Sequence, residues 1–258
     1  SNGGLLSEEM VHEHPVRTLL SGPAAGVAAT AYLSEMLNSP NVIAYDMGGT
    51  STDVALVSEG KWPVKAEAII DGILIRTPQL DIHTIGAGGG SIAHLDAGEA
   101  FRVGPQSAGA EPGPAAYNRG GTLPTVTDAN VVLGRLQPGN FLGGEMDLNA
   151  SAARGAVSNL AEKLGMSIEA AADGILTIIN ANMANAIRSR TVQKGHDPRE
   201  FSLVAFGGAG PLHAALIAAE LDITRVIIPP LSGAFSAYGL LVADRRRDPS
   251  ITWHRELT

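Results

Sequence analysis

One stretch of the chain combines acid, hydroxyl and glycine residues in an order that could do chemistry. Asp46-Met47-Gly48-Gly49-Thr50-Ser51-Thr52-Asp53 stands between two short apolar runs, 42–45 and 54–57. Consecutive small residues let backbone N–H groups converge on one point, as in an anion nest. Thr50, Ser51 and Thr52 add hydroxyl donors. Asp46 and Asp53 bracket the bend and suit a hydrated Mg2+, a hard ion that takes oxygen ligands. The plain alternative is a hairpin with ordinary Asp/Gly/Thr turn chemistry. A tight hairpin needs about two turn residues, and the longer bend here favours phosphate binding.

Two further glycine segments invite comparison. Gly207-Gly208-Ala209-Gly210-Pro211 lies between an apolar run and an Ala-rich stretch. A glycine turn feeding a helix N-terminus suits a phosphate or a flat nucleoside, and equally suits close strand–helix packing. Gly86-Ala87-Gly88-Gly89-Gly90-Ser91 contains a G-x-G-x-x-A spacing, but His94-Leu95-Asp96 follows where a dinucleotide fold needs a helix. A mobile or ligand-facing glycine loop is the expectation there. Asp81-Ile82-His83 puts two polar side chains on one strand face. With Asp128 or His94 they could hold a second divalent metal, or they could form a structural His–Asp hydrogen bond. G-x-S-x-G, H-E-x-x-H and P-loop spacings do not occur.

These segments need elements to position them. Ser21-Gly22-Pro23 opens a helix expected over 22–37, with Ser21 as its cap. Runs 42–45, 54–57 and 66–76 read as three strands of an antiparallel meander, apolar on both faces and so covered on both sides. Residues 77–124 form a Gly/Pro-rich insertion with short strands near 80–85, 91–95 and 100–103. Helices are expected over 126–136, 148–164 and 168–194, with Asn149, Ser151 and Ser167 available as caps. Residues 202–206, 211–221 and 226–228 read as a parallel βαβ unit, and 233–243 as a final helix.

Composition narrows the function classes. There are 31 glycines in 258 residues, about 12% against a typical ~7%, so tight turns are many. Charged residues are 17%, which leaves much surface uncharged. Eighteen basic against 26 acidic residues give −8, which argues against a nucleic-acid partner. The only basic run is Arg245-Arg246-Arg247, read as a solvated helix end. Without cysteine, thiolate catalysis, disulfides and zinc–thiolate sites are excluded. No apolar run approaches the ~18 residues of a membrane span, so no membrane partner is expected. A reducing cytosol, and hence a cytoplasmic location, fits best. Residues 1–16 read as a lead-in with a tag scar at Ser1 and Asn2, and 249–258 as a tail.

The motifs jointly resemble those of the hydantoinase A / 5-oxoprolinase family. Ser21-Gly22-Pro23-Ala24-Ala25-Gly26-Val27, the 46–53 bend, Asp81 to Ser91, and Phe206 to His213 occur in that family's order. Pro124 to Asn130 and Leu133-Gly134-Arg135-Leu136 fit as well. The resemblance covers 17–248. It implies an α/β fold: an actin/sugar-kinase-like ATPase core with a ribonuclease-H-like meander and βαβ units, present here in part. By that likeness the 42–60 hairpin is the second phosphate motif and 201–243 the adenosine motif. Asp46 would position Mg2+ or the attacking group, with Asp53 beside it. Gly48, Gly49, Thr50, Ser51 and Thr52 would meet phosphate, and Gly207, Gly208, Ala209 and Gly210 the nucleoside of ATP. Family members open cyclic amides (hydantoins, 5-oxoproline) with ATP, and relatives carboxylate ketones. A non-catalytic nucleotide-binding module is the further alternative. The implied partners are a hydantoinase B-type subunit or domain and an N-terminal part carrying a first phosphate hairpin, which this sequence lacks. Without ~3 contacts worth ~1.5 kcal/mol each, ATP affinity falls about a thousandfold, so this chain alone is expected to hydrolyse ATP negligibly.

Overall fold

The computed structural model describes residues 3–70 and 72–244. Its helices are α1 (Glu8–Glu13), α2 (Ser21–Met36), α3 (Val126–Val132), α4 (Ala150–Leu164), α5 (Ile168–Val192), α6 (Gly210–Glu220) and α7 (Phe235–Val242). Its strands are β1 (Val42–Met47), β2 (Thr52–Val57), β3 (Val64–Lys65), β4 (Ala68–Ile70), β5 (Ile73–Ile75), β6 (Gln79–Leu80), β7 (His83–Ile85), β8 (Ser91–Leu95), β9 (Phe101–Ser107), β10 (Ser202–Phe206) and β11 (Val226–Ile227). The basic run 245–247 and the tail lie outside the described residues.

A five-stranded mixed sheet, in the order β11-β10-β1-β2-β7, organises the molecule. Its strands are built from β-branched and aromatic residues that fill a pleated surface on both sides. Ile43, Tyr45, Met47, Val54, Leu56 and Leu203 pack with Ile175, Ile179 and Met183 of α5 and Ile217 of α6. Val42, Ala44, Ala55, Val57, Val204 and Phe206 pack with Ala24, Val27 and Ala31 of α2 and Phe235 of α7. Each large side chain so buried contributes about 1.5–3 kcal/mol. Gly26 lets α2 approach: a Cβ there would lie 2.7 Å from the Phe206 ring and 2.8 Å from Ser236 Oγ. Parallel pairing of β10 with β11 across α6 gives the expected βαβ unit.

Caps set several helix starts. Asn149 and Ser167 accept from the amides of Ala152 and Ala170 at 2.9 and 3.1 Å, as their types predict. Ser21 does not cap α2: it is the first helical residue, and Leu20 in the left-handed region precedes it. The meander differs from expectation too. The 66–76 run forms a separate hairpin, β4 with β5, while β7 takes the place beside β2. Both runs are β-branched; Thr84 and Ile85 reach the edge of β2 in register and the earlier run does not. Helix α3 stops at Val132, short of 136, because Gly134 turns to φ +69°.

Candidate functional site

The β1–β2 ladder runs to Met47 and Thr52, so the bend outside it is only Gly48 to Ser51. The eight-residue bend expected from sequence is therefore a four-residue one, and its length no longer argues for phosphate. Its hydrogen bonding does. Gly48 N–H donates to Ser51 O at 3.1 Å. The carbonyls of Gly48 and Gly49 accept from Gly89 and Gly90 N–H at 3.0 and 2.6 Å. That turns the bend's carbonyls toward the 86–91 loop. Among the described residues, the N–H groups of Gly49, Thr50 and Ser51 have no partner. Gly49 and Thr50 are exposed. Three unspent donors in succession are available to an anion or to water.

Within the 86–91 loop, expected to be mobile or ligand-facing, the glycines 88–90 instead turn into the fold, while Gly86 stays exposed beside a cavity. Gly88, Gly89 and Gly90 are buried, and Gly89 O accepts from the Thr127 amide and hydroxyl at 2.7 and 2.8 Å. A Cβ on Gly88 would lie 2.7 Å from Gly49. These glycines exist for close approach. The Thr52 hydroxyl is likewise spent inside the fold, on Ala87 O at 2.5 Å.

On the other side of the bend lies Gly207 to Gly210. Gly207 has φ +79°, and a Cβ there would collide with Asp46 Oδ1 and Met47 O. Its amide donates to Ser232 O at 2.9 Å, and Ala209 N–H donates to Met47 O at 2.9 Å. This turn is thereby stitched to the end of β1. Gly208 is exposed with open space beside it. The turn thus packs strand against helix while Gly208 stays open to solvent.

Asp46 and Asp53 face each other across the ladder. Asp46 Oδ2 accepts from Ser236 Oγ at 3.1 Å, and Asp53 Oδ1 from the Thr84 hydroxyl. Burial pushes both carboxyls above the ordinary range, and the charge of Asp53 adds to the shift at Asp46. Among the described residues neither is in an ion pair. Two facing carboxylates without a cation, beside free amide donors, fit a Mg2+ that would share its remaining positions with phosphate and water.

The remaining metal candidates are not brought together, and no group of three or more His, Asp or Glu side chains among the described residues could hold a metal. Asp128 is buried in a capping box and accepts from Thr125 N–H, Thr125 Oγ1, Ala115 N–H and Ala116 N–H at 2.7–3.3 Å. Asp81 is ringed by cations: Lys65 at 2.6 Å, Arg190 at 3.8 Å, and Lys194. Those charges and hydrogen bonds outweigh burial and pull its carboxyl below the ordinary value. Arg190 also bonds His83 Nδ1 at 2.9 Å. The expected His83–Asp81 hydrogen bond is thus replaced by a shared arginine. His94 Nδ1 lies 3.4 Å from Ile92 O, in its own strand.

Sequence reasoning, which read His213 as packing or capping in the first turn of its helix, did not find the partners of two side chains. His213, fully buried, lies 2.7 Å from Asn180 Oδ1 and 3.4 Å from Asn130 Nδ2, tying α6 to α5 and α3. Burial, with the charge of Arg135, lowers its pKa to about 4. The second is the cation set around Asp81. Arg190 and Lys194, four residues apart at the end of α5, were its visible signal.

The wider likeness bears on the family and the fold. The profile of the family described as hydantoinase/oxoprolinase matches residues 1–249. The α subunit of caprolactamase from Pseudomonas jessenii is 42% identical over 98% of this chain and 36% of its own length. 5-Oxoprolinase 1 of Arabidopsis thaliana is 41% identical over 95% of this chain and 20% of its own. The nucleotide-free structure of an acetone carboxylase superposes with a TM-score of 0.86 at 34% identity, over 95% of this chain and 34% of that one. The chain thus spans between a fifth and about two-fifths of the length of such relatives. Its mixed α/β fold is theirs, and it belongs to the hydantoinase/oxoprolinase family.

Proposed function

We propose that this chain is the nucleotide-binding part of an ATP-dependent enzyme that opens cyclic amides. The observation that carries the reading is the unspent N–H row of Gly49, Thr50 and Ser51 beside the facing Asp46 and Asp53. In this reading those amides hold phosphate oxygens and the two carboxylates hold Mg2+. Gly207, Gly208, Ala209 and Gly210 admit the nucleoside on the side of β10, and Gly48 and Thr52 keep the bend in shape. ATP would supply a phosphoryl group to the lactam oxygen; water would then add to the activated carbonyl carbon, the ring C–N bond would break with its nitrogen protonated, and hydrolysis of the resulting acyl phosphate would release phosphate. The rest of a longer chain supplies further phosphate contacts, and a B-type subunit or domain is the partner; caprolactamase and acetone carboxylase relatives are themselves named as subunits.

Calorimetry with Mg-ATP tests the reading. Wild-type chain binds with roughly millimolar affinity and Asp46→Asn at least tenfold more weakly. Equal binding by the two sinks it. A second reading, ATP-dependent carboxylation of a ketone, has the acetone carboxylase structure in its favour. Full-length protein that consumes ATP with bicarbonate and a ketone, and with no lactam, would select it.

A further inference from the structure

The Asp81 region lies outside the proposed nucleotide site and has its own cavity. About 900 Å3 opens between the β4–β5 hairpin, the β6–β7 segment and the end of α5, lined among others by Lys65, Glu67, Asp81, His83 and Arg190. Asp81 is buried at its floor, with Lys65 on Oδ1 and Lys194 on Oδ2. Glu67, at the rim, is itself 3.7 Å from Arg76. Among the described residues four cations thus pair with two carboxylates, an excess of two positive charges, with Lys194 and Arg76 outside the cavity's lining.

Most of the hydrogen-bonding capacity left over is donor capacity. A guanidinium only donates, so the 2.9 Å contact from Arg190 to His83 Nδ1 makes that nitrogen the acceptor. The ring proton of neutral His83 then sits on Nε2, where it is a donor with no protein partner among the described residues. Burial, followed by the charge of Arg190, keeps this ring neutral by lowering its pKa. Arg190 lies beyond hydrogen-bond distance of Asp81, and its Nε is buried without a partner. Lys65 is about half exposed and has donors to spare beyond its bond to Asp81. The acceptors deep in the cluster are the oxygens of Asp81: Oδ2 accepts from Lys194, and Oδ1, in an ion pair with Lys65 at 2.6 Å, is buried without a hydrogen bond.

We infer that the Lys65–His83–Arg190 wall of this cavity is a binding site for a compact oxyanion, a phosphate or carboxylate of a small molecule. A dianion would neutralise the excess charge. Arg190 offers the forked donor geometry that matches two anion oxygens, and Lys65 and His83 Nε2–H supply flanking donors. A metal cation, by contrast, meets net repulsion there.

Inorganic phosphate is the probe, added to the 258-residue chain at constant ionic strength held by chloride, so that screening does not vary. The readout is the ring 15N spectrum of His83, with the buried His213 as an internal reference. The expected result is a saturable shift of His83 alone, accompanied by a rise in its pKa. Arg190→Gln lowers the affinity at least tenfold and Lys65→Gln several-fold. Lys65→Gln leaves Asp81 paired with Lys194, so it decides the matter if Arg190→Gln does not fold. Succinate in a parallel titration separates the classes: saturation by either anion supports the site and names its preferred head group. A response that matches chloride, that never saturates with either anion, or that persists undiminished in the folded variants overturns it.

Discussion

Two sets of carboxylates flank the same sheet and are treated in opposite ways. Asp46 and Asp53 face each other on β1 and β2, near hydroxyls and unspent amides but, among the described residues, with no cation in an ion pair with them. Their carboxyls are pushed up. Asp81, past the edge strand, has three cations and is pulled down. Charge compensated inside the fold stabilises the fold. Charge left uncompensated is destabilising until something from outside supplies the counter-charge. By that rule the first pair suits the proposed cation, and the second cluster, with cations in excess among the described residues, the proposed anion.

The largest effect is expected where compensation is internal. Asp81→Ala strands Lys65, Arg190 and Lys194 together. Breaking a buried pair costs about 3–5 kcal/mol; partial exposure of these partners brings the expected loss to about 3 kcal/mol. Urea denaturation at pH 7 measures it. Because the folded carboxyl titrates below 3.8, its contribution is present above that value and disappears as pH falls through the folded pKa. The gap between wild type and variant should therefore close in strong acid. A variant within about 0.5 kcal/mol of wild type at pH 7 would erase the contrast.

His213 sharpens the comparison, since it lies beneath the Gly207–Gly210 turn with only neutral amides as hydrogen-bond partners. Its folded pKa of about 4 lies below the ordinary 6.5, so the neutral ring stabilises the fold above 6.5 and that stabilisation is lost as pH falls toward 4. Between pH 7 and 5 the loss from this one group is about 2 kcal/mol. Urea midpoints of wild type against His213→Gln across that range test it. Parallel pH slopes for the two would show that the ring does not titrate between its folded and unfolded states as stated.

Much of this architecture was readable from residue types, and the failures have common causes. The runs 42–45 and 54–57 are β-branched and bounded by turn residues, so β1 and β2 were legible. Asn149 and Ser167 were legible because capping is a local hydrogen bond. The 66–76 run carried the same local signal as a sheet strand, yet which edge segment pairs with β2 is a tertiary choice. Glycines at 88–90 were misread because the absence of a side chain serves close packing as readily as mobility. Asp128 looked like a ligand, although Thr125 three residues earlier gives the capping spacing it actually uses. The cations of Asp81 come from β3 and the end of α5, more than a hundred residues from one another; the i, i+4 spacing of Arg190 and Lys194 marks a basic helix face but not the acid it meets.

The smallest effect carries the opposite sign. Facing like charges on adjacent strands cost about 0.2–1 kcal/mol, so Asp46→Asn or Asp53→Asn should raise the stability of the ligand-free chain by up to about 1 kcal/mol at pH 7. Since the folded carboxyls are raised, the wild type is relatively more stable below their ordinary value and loses that advantage as pH rises through the folded pKa; the gain in the variants should vanish near pH 3. Millimolar Mg2+ should raise the wild-type melting temperature and leave that of Asp46→Asn unmoved, because only the former still presents both carboxylates. Calorimetric melts with and without Mg2+ decide it. Destabilisation by Asp46→Asn in the absence of ligand would mean that the hairpin carboxylate is compensated within the fold after all, as Asp81 is, and the difference between the two regions would be one of position only.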